Sequence, residues 1–179
     1  MRSVVAYELL SLDGVAEHPD QFVAWDDELD ENLGRVIASQ DTVLLGRKSY
    51  DEWARYWPGP GLEIEPFASF INGVEKFVFT STPLDQDWTN ASRVDGDLVE
   101  FVTGLKQQSG GDIGVHASIT LTQALLAADL VDELRLVVAP VVQLDGRRLF
   151  ENVKATRLSL KRSAVSPSGY QMLDLEVLR

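Results

Sequence analysis

The sequence predicts a three-layer α/β/α fold, with helices on both faces of a mostly parallel sheet and an antiparallel hairpin at the C-terminus. Two observations predict it. Up to residue 138, apolar stretches of strand length alternate with helical patterns, as in parallel strands joined by crossover helices. After that point, strand-like residues 158–166 and 170–177 flank a Ser-Pro-Ser-Gly turn, which favours a hairpin. No break in composition divides the chain, so we expect one domain over residues 1–179.

The first strand and the first helix follow from the patterning near the N-terminus. Residues 4–9 are mostly apolar and end at the turn-forming sequence Ser11-Leu12-Asp13-Gly14, which predicts a buried strand and then a turn. Residues 26–38 predict a helix, because their acidic first turn suits the positive end of the helix dipole. The apolar residues at helical spacing within it are Leu29, Leu33, Val36 and Ile37.

The next elements are two strands separated by a helix and a loop. Residues 42–45 are apolar and too few for a helix, so they predict a strand that ends at Gly46-Arg47-Lys48-Ser49. Residues 50–57 predict a helix, and the Pro-Gly-Pro-Gly sequence at 58–61 predicts a surface loop. Residues 74–80 are rich in β-branched and aromatic side chains, which indicates another buried strand.

The remaining elements repeat the alternation. Residues 97–108 present one apolar face at helical spacing, and residues 113–115 predict a short strand. Ser118 is placed to cap a helix over about residues 119–128, and residues 133–138 predict a strand that stops before a proline.

Composition excludes several classes of function. The chain has 28 acidic and 16 basic residues and a net charge of −12, so general affinity for nucleic acid or anionic membranes is not expected. It has no cysteine, which excludes disulfides, thiolate catalysis and Cys-ligated metals. Its two histidines are 98 positions apart, so we expect no metal site. Without an export signal or a membrane-length apolar stretch, we expect a cytoplasmic location.

Candidate binding residues follow three predicted strands, at the sheet edge where α/β proteins bind ligands. Gly46-Arg47-Lys48-Ser49 combines a glycine, two cations and a helix start, and so predicts an anion site. Residues 116–120 join a strand to a helix and expose backbone donors, and Thr80 and Ser81 offer hydroxyls to a ribose or a 2′-phosphate. Each motif also has a purely structural interpretation: a solvated glycine turn, a helix cap with a hydrogen-bonding His116, and a Ser/Thr turn.

Taken together and in order, these motifs resemble those of the dihydrofolate reductase-like proteins. The group most similar is the C-terminal reductase domain of the bifunctional riboflavin-biosynthesis deaminase-reductase. The segments that carry the resemblance are residues 11–14, 44–50, 76–81, 118–121, 130–134, 140–142 and 146–150. The deaminase half requires a Pro-Cys-x-x-Cys zinc element, which a chain without cysteine lacks.

The resemblance implies an NADPH-dependent reductase and assigns roles to residues. In such proteins the turn at Gly46, Arg47, Lys48 and Ser49 holds the phosphates, Thr80 and Ser81 lie near the adenine ribose, and Asp13-Gly14 lies beside the nicotinamide. The turn beneath the pyrophosphate and nicotinamide corresponds to His116, Ala117, Ser118, Ile119, Thr120 and Leu121. Many relatives have glycine before that serine, so we expect the side chains of His116 and Ala117 to approach the cofactor.

The resemblance also implies direct hydride transfer to a small heterocycle, most like that of 5-amino-6-(5-phosphoribosylamino)uracil reductase. Asp13 is the polar candidate near the reacting carbon, although it also suits a plain turn. Trp25 and Trp57 are candidates for stacking on a planar substrate, with core packing as the alternative. True dihydrofolate reductases hold the pteridine with a helix carboxylate, and Asp27, with Glu28 or Glu31 as alternatives, is the candidate here.

Three other functions stay open from the sequence. One is a dihydrofolate or pteridine reductase, the second is a non-catalytic NADP-binding module, and the third is an interaction protein without a ligand. Because relatives often pair through the sheet edge or the C-terminal strands, we also expect a homodimer.

Overall fold

Eight strands form one sheet in the computed structural model, which describes residues 1–62 and 65–179. They are β1 Val4–Ser11, β2 Gln40–Gly46, β3 Glu75–Phe79, β4 Ala91–Val94, β5 Asp112–His116, β6 Glu133–Ala139, β7 Arg157–Val165 and β8 Gln171–Leu178. Their order across the sheet is β4-β3-β2-β5-β1-β6-β8-β7. Pairing is parallel from β4 to β6 and antiparallel from β6 to β7, which confirms the predicted mostly parallel sheet with a C-terminal hairpin.

Five α-helices cover the two faces of this sheet within the described residues. They are α1 Asp27–Ile37, α2 Arg47–Tyr56, α3 Pro66–Gly73, α4 Leu98–Gln107 and α5 Ile119–Ala127. Alternate residues of β2 point to opposite faces: Leu44 packs in the core that contains α4 and α5, whereas Val43 and Leu45 pack in the core that contains α2 and α3. Leu29 and Leu33 of α1 pack with Tyr7 of β1, so three layers form as predicted.

Two elements of the fold lie outside the sequence prediction. The edge strand β4 carries mostly exposed or half-buried side chains, so it lacks the apolar alternation that identifies a strand. Helix α3 is only eight residues long, and Pro66 occupies its first turn. In addition, α2 begins at Arg47 rather than near residue 50, so the basic residues belong to the first turn of the helix.

The order of the strands positions the functional site. β5 lies between β2 and β1, and all three run in the same direction. The ends of β2 and β5 therefore place Gly46 and His116 at one edge of the sheet, where α2 and α5 begin. This edge is the binding edge of open α/β sheets.

Candidate active site

A cavity of about 860 Å³ lies at this edge of the sheet, between β1, helices α1, α2 and α5, and the start of α3. Most of the residues that the sequence predicts for binding line it. They are Trp25, Gly46, Arg47, Lys48, Ser49, Trp57, His116, Ala117, Ser118, Ile119, Thr120 and Leu121. Five predicted residues do not line it: Asp13, Gly14, Asp27, Thr80 and Ser81.

Hydroxyl groups join the starts of α2 and α5. The Ser118 Oγ accepts a hydrogen bond from the Gly46 amide at 3.0 Å and donates to the Ser49 Oγ at 3.0 Å. Ser49 in turn donates to the Ala117 carbonyl at 2.6 Å. Ser118 occupies the N-cap position of α5 as predicted, but its side chain makes no capping hydrogen bond because it is engaged across the junction. The two helix N-termini are therefore held side by side.

The turn before α5 has an unusual backbone. Ala117 has a φ of 50°, which lies in the left-handed region. Residues with a side chain are disfavoured there by roughly 1–2 kcal/mol, whereas glycine adopts this conformation readily. Ala117 is exposed and lines the cavity. The turn thus adopts a conformation that favours glycine, while presenting a methyl group to the cavity.

Three cationic side chains line the same end of the cavity. Arg47 pairs with Asp51 at 2.8 Å and with Asp85 at 2.6 Å, and it donates to the Thr82 Oγ1 at 2.5 Å. The hydroxyls of Thr80 and Thr82 lie 3.2 Å apart, so Thr80 adjoins the Arg47 network although it does not line the cavity.

The other two cationic residues both adjoin Glu17, whose carboxylate also lines the cavity. The Lys48 Nζ is 3.4 Å from Glu17, and Arg147 donates to the Thr120 hydroxyl at 3.1 Å. A protein with twelve excess negative charges therefore places three positive side chains beside two helix N-termini.

His116 is turned into the floor of the cavity. It is buried, and its Nε2 is 2.8 Å from the Gln40 Oε1, which fits a neutral ring that donates from Nε2. Its ring centroid lies 5.8 Å from those of both Tyr7 and Phe67. Burial lowers the pKa of His116 to about 4. These contacts match the structural, hydrogen-bonding interpretation of this residue.

Glu8 is a cavity residue that sequence reasoning missed. It is buried in β1, and its carboxyl accepts a hydrogen bond from the Thr122 hydroxyl at 2.7 Å. Burial raises the pKa of Glu8 to about 7, because the charged form loses its hydration. The available signal was an acidic residue inside an otherwise apolar strand pattern, which is rare without a functional or electrostatic reason.

Asp13 lies in the turn after β1 and outside the cavity lining, which fits the turn-forming alternative for this residue. Its carboxylate accepts hydrogen bonds from the amides of Gln143 and Leu144 at 2.9 and 3.0 Å, from Ser11 at 2.8 Å and from Arg148 at 3.2 Å. These donors, led by the Gln143 amide, hold the pKa of Asp13 well below its usual range. Asp13 fastens the loop after β1 to the loop after β6, and a carboxylate so fully bonded is a poor proton donor. Gly14 completes the turn with a φ of 85°.

Among the acidic residues of α1, Asp30 is the one whose side chain joins the cavity lining; Asp27, Glu28 and Glu31 do not. Burial raises the pKa of Asp30, and repulsion from Glu65 raises it further. Asp27 starts the helix and shares a face with Asp30, which lies one turn further along α1 and is the one that reaches the cavity. Trp25 and Trp57 line the same cavity as Asp30.

The family model of the RibD C-terminal domain matches residues 2–172, nearly the whole chain. The chain belongs to the RibD C-terminal domain family. A relative in this range is the protein YyaP of Bacillus subtilis, which is 33% identical over 165 residues, or 89% of this chain and 86% of YyaP.

Solved structures share the fold at low sequence identity. A Shewanella protein assigned to riboflavin biosynthesis has a TM-score of 0.77 at 18% identity, with 99% of both chains covered. The Thermotoga maritima diaminohydroxyphosphoribosylaminopyrimidine deaminase/5-amino-6-(5-phosphoribosylamino)uracil reductase has a TM-score of 0.70 at 14% identity, over 99% of this chain and 57% of that one.

Dihydrofolate reductase from Enterococcus faecalis, complexed with NADP(H) and RAB-propyl, has a TM-score of 0.62 at 14% identity, over 99% of this chain and 97% of that one. The RibD C-terminal domain of this chain therefore has the dihydrofolate reductase-like fold. Within the described residues, no helix has the length and apolarity needed to cross a membrane.

Proposed function

We propose that this RibD C-terminal domain protein is an NADPH-dependent reductase that transfers a hydride to a small heterocyclic substrate. The observation that carries the proposal is the junction of two helix N-termini at one end of a large cavity, flanked by Arg47, Lys48 and Arg147. Backbone amides at helix starts and nearby cations are the groups that bind phosphates. The opposite end of the cavity is aromatic, which suits a flat ring.

The residues present fit a dinucleotide phosphate. The amides at the starts of α2 and α5 would hold the pyrophosphate, with Lys48 and Arg147 beside it. Arg47 and the adjoining Thr80 would hold a 2′-phosphate, and Ser81 follows Thr80 at the end of β3. When bound, the nicotinamide ring supplies the hydride, and the protein supplies binding and orientation.

The chain's own contribution is to position the ring, exclude water and exchange a proton. The buried floor made by Tyr7, Phe67 and His116 keeps water from the inner cavity. Reduction of a ring double bond also consumes a proton. We assign its source to Glu8, because it lines the cavity and its pKa of about 7 allows it to hold and release a proton near neutral pH.

Removal of the Arg47 side chain tests the cofactor assignment. We expect Arg47→Ala to weaken NADPH binding by roughly tenfold to a hundredfold, the range expected for lost hydrogen bonds to a charged group. NADH binding should change far less, because NADH lacks the 2′-phosphate. Isothermal titration calorimetry with both cofactors measures the two affinities.

Arg55→Ala is the matched control, since Arg55 lies on the same helix, is exposed and does not line the cavity. It should leave both affinities unchanged. Equal losses of NADPH and NADH affinity in Arg47→Ala would assign Arg47 to a part that the two cofactors share. No loss of either would remove Arg47 from the cofactor site.

A further inference from the structure

The three cations of the described cavity lining all lie where α2 and α5 begin, beside one lining carboxylate, Glu17. Helix α2 lies along the cavity and spans about 15 Å, so its first and last turns lie far apart. Arg47 and Lys48 line the cavity from the first turn, whereas Glu52 and Tyr56 line it from the second half. The end near the second half of α2, here called the substrate end, is also lined by residues from α1, from the segment before it and from the start of α3.

Aromatic rings form the walls of the substrate end. The centroid of Trp57 is 4.9 Å from those of both Tyr56 and Phe67, and the centroid of Trp53 is 5.6 Å from that of Phe67. Trp25 lines the same region and is 47% exposed, although exposure of so large an aromatic side chain is unfavourable. Tyr56 is 59% exposed, so Tyr56 and Trp25 are the rings of this wall most available to stack on a flat ligand.

One polar atom of this wall, the Trp57 Nε1, is buried and has no partner within the described residues. Trp57 also lines the cavity. An indole N–H can only donate, so a ligand that satisfies it must carry an acceptor, and a ring carbonyl or a ring nitrogen of a flat heterocycle is one. Buried polar groups without partners are costly, which indicates that they are satisfied in a bound state.

Charge at the substrate end is entirely acidic among the described lining residues. Asp20, Asp30, Glu52 and Glu65 line it, and the repulsion between Asp30 and Glu65 contributes to the raised pKa of Asp30. Residues 19–34, which include the segment before α1, contain six acidic residues and no lysine or arginine. A phosphate or a carboxylate bound beside Asp30 and Glu65 would meet like charge, whereas the lining cations lie at the starts of α2 and α5, with Lys48 one helical turn from Glu52.

We propose that the substrate end binds a flat, nitrogen-rich heterocycle that is neutral or cationic and has no phosphate or carboxylate tail. The proposal rests on the reductase function proposed above and specifies its substrate class. It favours unphosphorylated aminopyrimidines and simple pterins over phosphoribosyl pyrimidines and over folates with their glutamyl carboxylates.

Matched pairs of probes test this directly, without any cofactor. Pterin and pterin-6-carboxylate share one ring system and differ by one carboxylate, and 5-amino-6-ribitylaminouracil differs from its 5′-phosphate only by the phosphate. Quenching of the cavity tryptophans reports binding. We expect the tail-free member of each pair to bind at least roughly tenfold more tightly, because like charges oppose the other member. Equal or tighter binding of the anionic members, or no binding of any probe, overturns the proposal.

A charge reversal sharpens the test. Glu52→Lys should improve the affinity for pterin-6-carboxylate at least roughly tenfold and change that for pterin little, because it places a cation at the wall. Glu31→Lys is the matched control: Glu31 is an exposed acid on α1 outside the lining, so this variant makes the same change of net charge. If both reversals raise the anion affinity equally, the effect is one of net charge and the proposal fails.

The result of these probe-binding tests can be distinguished from the result for the proposed reductase function. Calorimetric titration of the same samples with NADPH tests the cofactor end alone. Probe discrimination without NADPH binding would support the charge pattern and remove the reductase, whereas NADPH binding without probe discrimination would leave a reductase with a different substrate class.

Discussion

Replacement of Glu8 by glutamine should raise the free energy of unfolding at pH 8 by about 3 kcal/mol, at 1.36 kcal/mol for each pH unit by which burial shifts the pKa. In the folded chain the pKa is about 7, against an ordinary value of 4.5. The folded state therefore binds more protons than the unfolded state between these values, and stability falls as the pH rises from about 4.5 to about 7. Glutamine has the same shape and no charge, so this fall in stability with rising pH should be absent from the variant.

The same substitution should lower turnover. If Glu8 is the proton source, Glu8→Gln loses most of its kcat at every pH and with it the pH dependence of the rate near 7. A gain in stability joined to a loss of activity is typical of a residue kept for function in an unfavourable place. If the variant is more stable and its turnover is unchanged, Glu8 is a buried structural residue and not the proton source.

His116 provides the complementary control for the stability profile. Its folded pKa of about 4 lies below the ordinary value of 6.5, so its contribution is complete above pH 6.5 and is lost as the pH falls towards 4. Between about pH 4.5 and 6.5, the contribution of Glu8 to stability falls with rising pH, whereas that of His116 rises. Urea unfolding of Glu8→Gln should therefore show stability rising with pH across this window more steeply than in the wild type. If the free energies of unfolding of Glu8→Gln and of the wild type differ by the same amount at every pH, the raised pKa of Glu8 is contradicted.

Loss of the Ser118 hydroxyl should have the second large effect. Ser118→Ala leaves the Gly46 amide without its acceptor and Ser49 without a donor, in a place where Ser118 is 4% exposed. We expect the free energy of unfolding to fall by about 1–3 kcal/mol, the cost of a buried group left unsatisfied. NADPH affinity should fall as well, because the starts of α2 and α5 are no longer fastened together.

Ser69→Ala is the control for this substitution, because Ser69 is exposed on α3 and does not line the cavity. It should change neither stability nor NADPH affinity appreciably. If Ser118→Ala lowers stability and leaves NADPH affinity intact, the hydroxyl junction supports the fold without shaping the cofactor end.

The alternation of patterns predicts the sheet and most helices because the buried strands are apolar and their ends carry turn residues. The same logic brings Gly46-Arg47-Lys48-Ser49 and residues 116–121 to the cavity, since parallel strands end at one edge. The sequence does not single out Asp30 as the acid that reaches the cavity. That depends on how α1 is placed against the cavity, and the acidic residues at 26, 27, 28 and 31 are equally plausible from the sequence. The environments of Glu8 and Asp13 depend on contacts with Thr122 and with the loop after β6, which lie more than a hundred residues away. Such long-range partners leave no local pattern.

Titration of the wild-type chain with NADPH, read by energy transfer from the cavity tryptophans to the nicotinamide, tests the central claim most directly. Trp25, Trp53 and Trp57 all line the cavity, so a bound nicotinamide should quench their emission. We expect saturable quenching with one NADPH per chain, and weaker binding of NADH. Quenching that grows linearly without saturation, or that is the same in Ser118→Ala and Arg47→Ala, would contradict a cofactor site at the starts of α2 and α5.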